Sequence, residues 1–299
     1  MPPRRTLLLS LASLPLLQGC SAPLAELSNP ATSNDAKRLL AESAAAHGFN
    51  AFQRLSDLSV SYQGEWRPFM NRMQPELVDA GFRGGSQERL LLRQGLVAQA
   101  HQGPDGHKQV VRRPGQAATD LSVWFNDVEA TDKPRRDAAA LVADAYRLFL
   151  LGPMLLAGAW MDRLDLELGD TETITAGDER RECDVLRVRA HPGLGFATTD
   201  RMEILIARDD RLMRRVRFTL DGLQSTQGAL AEVDTWRHID HRGVKWPTRV
   251  HEQLLRPLPL PVHDWSLTGL DIDRGLRASD IEGIRFTGNA APPAAPLPA

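Results

Sequence analysis

The feature that most limits this chain's fold is alternation. "LSVSYQGEW" places Leu58, Val60, Tyr62 and Trp66 on one side and Ser59, Ser61 and Gln63 on the other. That period of two is the pattern of a strand with one buried face. "QERLLLRQ", "GLVAQAHQG", "HKQVVRRP" and "LSVWFNDV" follow, punctuated by Gly84-Gly85, Gly95, Pro104 to Gly106 and Pro114-Gly115. No helix of useful length fits between them, so neighbouring strands are expected to form antiparallel hairpins. A second run starts at "DRLDLELGD", where Leu164, Leu166 and Leu168 alternate with Arg163, Asp165 and Glu167. It continues through "RECDVLRVRA", "RMEILIARDD", "RLMRRVRFTL", "LAEVDTWRHID", "GVKWPTRVHEQLL" and "HDWSLTGLDI". A sheet with this many strands curls or splits rather than staying flat. The expectation is a single domain over residues 34–285, mainly β with helical insertions: an antiparallel, half-closed barrel of about eleven strands.

Two segments read as helices. "SNDAKRLLAESAAAHG" offers Ser33 or Asn34 as a cap, Leu39 and Leu40 as an apolar stripe and Gly48 as a stop. "DKPRRDAAALVADAYRLFLLGPMLLAGAW" carries strong helix formers from Ala138 to Leu151, with a break expected at Gly152-Pro153. Its uncharged part, "LFLLGPMLLAGAWM", would be about 21 Å long as a helix, short of a ~30 Å hydrocarbon core. Asp144, Arg147, Asp162 and Arg163 flank it. It is read as packed core, or as a helix covering the mouth of a curled sheet, and not as a membrane span.

The N-terminus reads as export. Arg4 and Arg5 precede the apolar "TLLLSLASLPLL", and "LQGC" follows. The last four residues resemble a bacterial lipoprotein lipobox. The resemblance implies cleavage of residues 1–19, a diacylglycerol on Cys20 and a short tether over residues 20–33. An ordinary secretory signal with an unrelated cysteine is the alternative. Ser21 rather than an aspartate favours, by the same resemblance, the outer membrane facing the periplasm. Cys20 and Cys183 are the only cysteines, so a lipidated Cys20 leaves no disulfide, and Cys183 reads as a small buried strand residue. The Pro/Ala-rich residues 286–299 are expected to be disordered.

Chemical motifs are lacking. No Gly-x-Ser-x-Gly, His-Glu-x-x-His or phosphate-binding glycine loop occurs. His238 and His241, and His101 and His107, are read as turn residues rather than metal ligands. No catalytic residue, metal or cofactor is expected, and a net charge of -2 gives no field to collect nucleic acid. Arg208, Arg211, Arg214, Arg215 and Arg217 form a basic run, read as a solvated convex face, with contact to anionic headgroups as the alternative.

"CDVLRVRA", "DRMEILIARDDRLMRRVRFTL" and "RHIDHRGVKWPTRV" resemble the closing strands of outer-membrane lipoprotein-sorting (Lol-type) carriers and receptors. The resemblance covers about residues 35–275. It implies an unclosed β-barrel with helices plugging its concave side and a cavity that holds acyl chains. Candidate walls are Leu58, Val60, Tyr62, Leu92, Phe125, Leu164, Leu166, Ile204, Val216, Phe218, Trp246 and Val250. The candidate lid is Leu148, Phe149, Met154, Leu155 and Trp160. "PLPLP" from Pro257 to Pro261 is a candidate for the protruding apolar loop of the receptor type, which an anchored chain suits better than a soluble carrier. The expected function is binding of a lipid or acylated protein at the bacterial envelope. A non-catalytic envelope sensor that reads a protein partner on the same fold is the alternative. Replacing Cys20 by alanine is expected to abolish membrane association and to shift electrophoretic mobility; an unchanged distribution between membrane and soluble fractions would remove the anchor.

Overall fold

The computed structural model describes residues 22–28 and 32–297; the expected signal peptide and Cys20 lie outside them. Six strands come first: β1 (Asp57–Trp66), β2 (Gly85–Leu91), β3 (Leu96–Gly103), β4 (Gly106–Arg112), β5 (Leu121–Phe125) and β6 (Val128–Glu129). Eight follow: β7 (Leu164–Leu168), β8 (Glu172–Ala176), β9 (Glu179–Ala190), β10 (Asp200–Ala207), β11 (Met213–Thr219), β12 (Leu230–His241), β13 (Val244–Arg256) and β14 (Leu260–Ile272). The helices are α1 (Asn34–Ala46), α2 (Phe49–Phe52), α3 (Pro68–Met73), α4 (Pro75–Val78), α5 (Lys133–Ala157) and α6 (Ala278–Ile281). All strand pairs are antiparallel, in the order β6-β5-β4-β3-β2-β1-β14-β13-β12-β11-β10-β9-β7, with β8 also on β9. The first and last strands meet in the middle of the sheet. The mid-chain strands β6 and β7 end up at opposite edges, and α5 is the link between them.

The sheet is curled around that link. Arg112, at the end of β4, donates from Nη2 to the Gly195 carbonyl at 2.9 Å. Gly195 sits between β9 and β10, and its N–H donates to Asp144 of α5 at 2.9 Å. In a flat sheet β4 and β10 would be eight interstrand steps apart, about 38 Å at ~4.8 Å each. One side chain bridges them because the sheet bends into an unclosed trough with α5 inside.

Local sequence explains most elements. Ser33 caps α1 by accepting from the Ala36 N–H at 3.1 Å, and Gly48 leaves the helix with φ +93°. Asp132 caps α5 by accepting from the Arg135 N–H. The expected break in α5 is a kink. Gly152 takes φ +46°, ψ −127°, and the helix resumes at Pro153, whose missing N–H costs nothing at the start of a helical segment.

Three expectations need correction. The sheet has fourteen strands, not about eleven. Twelve of them are the segments read above; the other two are the two-residue β6 and β8, where "ETITA" puts only Ile174 and the small Ala176 on its buried side. The tail expected to be disordered is laid along the convex face as far as residue 297. Arg89, pointing outward from β2, donates to the carbonyls of Ala290 (3.0 Å) and Pro292 (2.8 Å). Leu270, beside a bulge in β14, donates to Ala295. A Pro/Ala-rich segment has few side chains to bury but keeps its carbonyls, and here buried donors need them. The expected tether also touches the sheet where it is described: Leu24 is buried, Arg201 donates to its carbonyl, and Ser33 pairs with Leu166.

Gly152→Ala tests the kink. A Cβ there would be 3.0 Å from Met213 Cε in a backbone region that only glycine adopts freely. The variant is expected to lose about 1–3 kcal/mol in urea denaturation; an unchanged midpoint would show that the kink is not held by glycine.

Candidate functional site

The structure gathers most of the expected wall and lid residues into one apolar core. Leu58, Val60, Tyr62, Leu164, Leu166, Ile204, Val216, Phe218, Trp246 and Val250 point into the trough from the strands. Leu148, Phe149, Met154, Leu155 and Trp160 meet them from α5 and the residues after it, and all of these side chains are buried. Leu92 is half-buried at the margin of this core. Phe125 is half-buried in a separate cluster with Val110 and Val123. α5 as a whole is long and apolar enough to cross a membrane, but its most apolar stretch lies wholly inside the protein.

An apolar cavity of about 330 Å³ opens at one end of the trough. Met70 and Leu77 of the α3–α4 segment, Ala231 of β12, Leu254 of β13 and Leu260 and Val262 of β14 line it. None of the wall or lid residues named from sequence does. Its volume sits at the lower end of the ~300–1,000 Å³ range of ligand clefts. Phe69 (53% exposed), Met73 (50%) and Leu258 (60%) stand on the elements around its mouth. They are half of the large apolar side chains that reach solvent among the described residues. Leu258 is the tip of the "PLPLP" segment, which forms the turn between β13 and β14. Glu252 enters the cavity wall from β13, and burial pushes its carboxyl up to about 7, with Arg83 opposing the shift.

Behind the cavity a polar cluster crosses the core. Arg83 donates to the Tyr146 hydroxyl at 3.0 Å and to the Leu77 carbonyl at 2.8 Å. The Tyr146 oxygen is 3.2 Å from Nδ1 of His263, whose ring stacks on Trp66 at 3.9 Å. Arg83 lies 4.4 Å over the same indole. Burial pushes His263 and His101 well down, with Arg83 reinforcing the shift, so both rings are neutral near pH 7. Glu88 accepts from Gln99 Nε2 at 2.8 Å, and burial pushes its carboxyl up to about 7. The cluster pins Tyr146 of α5 to β14 and to the residues before β2. Sequence reasoning missed it, although a signal existed: Glu88 shares strand parity with Leu90, and Gln99 with Val97, so polar side chains stood at inward positions.

The remaining expectations fall elsewhere. Cys183 is buried among Ile174, Val185, Leu205 and Ala207 on the outer face, and burial pushes its thiol up to about 11. The basic run is largely matched by acids. Arg217 meets Glu172, Glu203 and Glu232; Arg215 meets Asp234 and Glu232; Arg214 meets Asp210 and Glu179; Arg211 meets Asp184 and Glu42. His238 packs edge-on against His47. Among the described residues no group of three or more His, Cys, Asp or Glu side chains is arranged to hold a metal.

No protein-family profile and no curated protein matches the chain. Solved structures do. One is a DUF1329 family protein from Desulfovibrio piger: 14% identity, 84% of this chain and 97% of that one, TM-score 0.48. Another is a LolA superfamily protein from Nitrosomonas europaea: 13% identity, 82% and 96%, TM-score 0.48. A third is the Mycobacterium tuberculosis lipoprotein LppX: 15% identity, 64% and 91%, TM-score 0.26. None carries a residue role across to this chain.

Glu88→Gln tests the buried cluster. The carboxyl's pKa is raised from 4.5 to about 7 on folding. Its cost to stability is therefore absent below about 4.5, grows between the two values and is complete above about 7. The variant's stability relative to the parent is expected to rise by on the order of 3 kcal/mol from pH 4.5 to pH 7 and then level off, measured by chemical denaturation at several pH values. A difference independent of pH would mean that Glu88 ionises as freely in the folded chain as in the unfolded one.

Proposed function

We propose that this chain is a non-catalytic acyl-binding protein of the bacterial envelope. On this reading the hydrocarbon chain of a lipid or an acylated protein enters the cavity between α3–α4 and the β13–β14 turn. The observation that carries it is the pairing of an apolar cavity with solvent-facing Phe69, Met73 and Leu258 around its mouth. Exposed apolar side chains of this size next to a cavity are the usual mark of an apolar partner. Each methylene moved from water into such a cavity contributes about 0.8 kcal/mol before ordering costs. Met70, Ala231, Leu254 and Val262 belong to the same apolar core as the wall residues read from sequence, such as Phe218 and Val250. A long chain extends in that direction as the contacts of α5 with the sheet yield. A lipidated Cys20 would hold this site at a membrane surface, where acyl chains are supplied.

The uncharged probe N-phenyl-1-naphthylamine tests the cavity by fluorescence. Ala229→Phe, on the loop that lines the cavity, is expected to weaken probe binding roughly tenfold or more, because added volume there has nowhere to go. Binding is also expected to weaken as the pH rises through about 7, where Glu252 ionises, and Glu252→Gln is expected to remove that dependence. Probe binding indifferent to both substitutions would place the site elsewhere.

A further inference from the structure

A second cavity, of about 200 Å³, lies where the β2–β3 turn, the β4–β5 connection, α5 and the approach to β7 come together. Its walls contain five arginines, Arg93, Arg112, Arg113, Arg147 and Arg163, against one carboxylate, Asp144. That carboxylate is already committed: it accepts from Arg112 and from the Gly195 N–H. Arg113 reaches Glu282 at 3.3 Å. Arg93, Arg147 and Arg163 have no acid within 4.0 Å among the described residues. Arg147 donates to the Gly95 carbonyl, and the Arg163 guanidinium carbon lies over the Trp160 ring, 3.6 Å from its centroid. Two donors here are buried without a partner: Nη1 of Arg112, whose side chain is 5% exposed, and Nε of Arg163. Burial pushes Arg163 down to about 10; the Asp144 charge opposes the shift, while Arg147 and Arg112 add to it. The contrast with the outer face is direct, because there each of Arg211, Arg214, Arg215 and Arg217 meets at least two acids.

Half-buried guanidinium groups that repel one another, with unfilled donors, are costly unless an anion joins them. Their planar forks match tetrahedral oxyanions better than they match chloride. We propose that this cavity is a binding site for a phosphate-type oxyanion, either free phosphate or the phosphate of a lipid headgroup. Arg147 and Arg163 supply the uncompensated charge, Arg112 supplies the unfilled buried donor, and Trp160 holds the Arg163 guanidinium in place. The site is separate from the apolar cavity and does not depend on acyl binding there.

Calorimetric titration of the full protein tests this in buffers of matched chloride ionic strength. One arm uses inorganic phosphate, and the other uses dihexanoylphosphatidic acid below its micelle concentration. Saturable binding of phosphate itself assigns a free anion. Binding of the short-chain phosphatidic acid alone assigns a headgroup. Binding of neither overturns the proposal. Arg147→Gln with Arg163→Gln is expected to weaken the productive ligand at least tenfold. Without ligand the double variant is expected to melt at or above the parent's temperature, because it loses unpaired buried charge while Arg112 and Asp144 stay in place. Unchanged affinity in a folded double variant would overturn the assignment of these residues. Ala229→Phe is expected to leave phosphate affinity unchanged, so failure of the acyl reading and failure of this one are read separately.

Discussion

Everything in this molecule depends on the crossing of α5 from one sheet edge to the other. The chain lays down β1 to β6 in one direction and must then start β7 at the far edge, so that β14 can return to pair with β1. The connection has to traverse one face of the sheet. A helix satisfies its own backbone on such a crossing and presents an apolar surface to the strands. Once it is there, the sheet buries most by curling around it, and its edges stay unjoined because the helix ends must leave between them. The result is a trough already filled by its own connection, which is why the open cavity lies at one end and not along the middle.

Polar contacts fix how the plug sits. Asp144 ties α5 to Arg112 of β4 and to Gly195 beyond β9, bridging the two halves of the sheet. Tyr146, two residues on, ties it to Arg83 and His263. Apolar packing is non-directional and would tolerate some sliding of the helix; these buried, directional bonds do not, because an unfilled donor or acceptor costs more than a filled one contributes.

Charge tells the same story from outside. The convex face under β8 is a ladder of arginines and acids in register, Glu203 opposite Arg217 opposite Glu232. It is close to neutral and serves cross-strand pairing. Among the described residues, Arg93, Arg147 and Arg163 gather at the seam beside α5 with only Asp144 among them. Apolar side chains without cover are concentrated at the α3–α4 mouth. Those two departures from ordinary balance carry the two binding proposals made above.

Period-two alternation in β1 to β5 and in β9 to β14 was enough to determine an antiparallel, mainly β domain, and the Ser33 cap of α1 and the helix formers from Ala138 to Leu151 in α5 determined the two main helices. Alternation also separated the two faces of each strand, so Leu58, Val60, Ile204, Val216 and Phe218 were legible as one buried set. Which set was concave was decided only by the topology, because the sign of a sheet's curl depends on which face the crossing helix takes. β8 was illegible because one isoleucine and one alanine make too short and weak a pattern. The order of the tail was illegible because it comes from the unmet donors of Arg89 and Leu270 and not from its own composition. Both cavities were also decided by tertiary structure alone. Met70, Leu77, Ala231, Leu254 and Val262 come from four separated segments, as do Arg93, Arg112, Arg147 and Arg163, and only the curling of the sheet around α5 brings either group together.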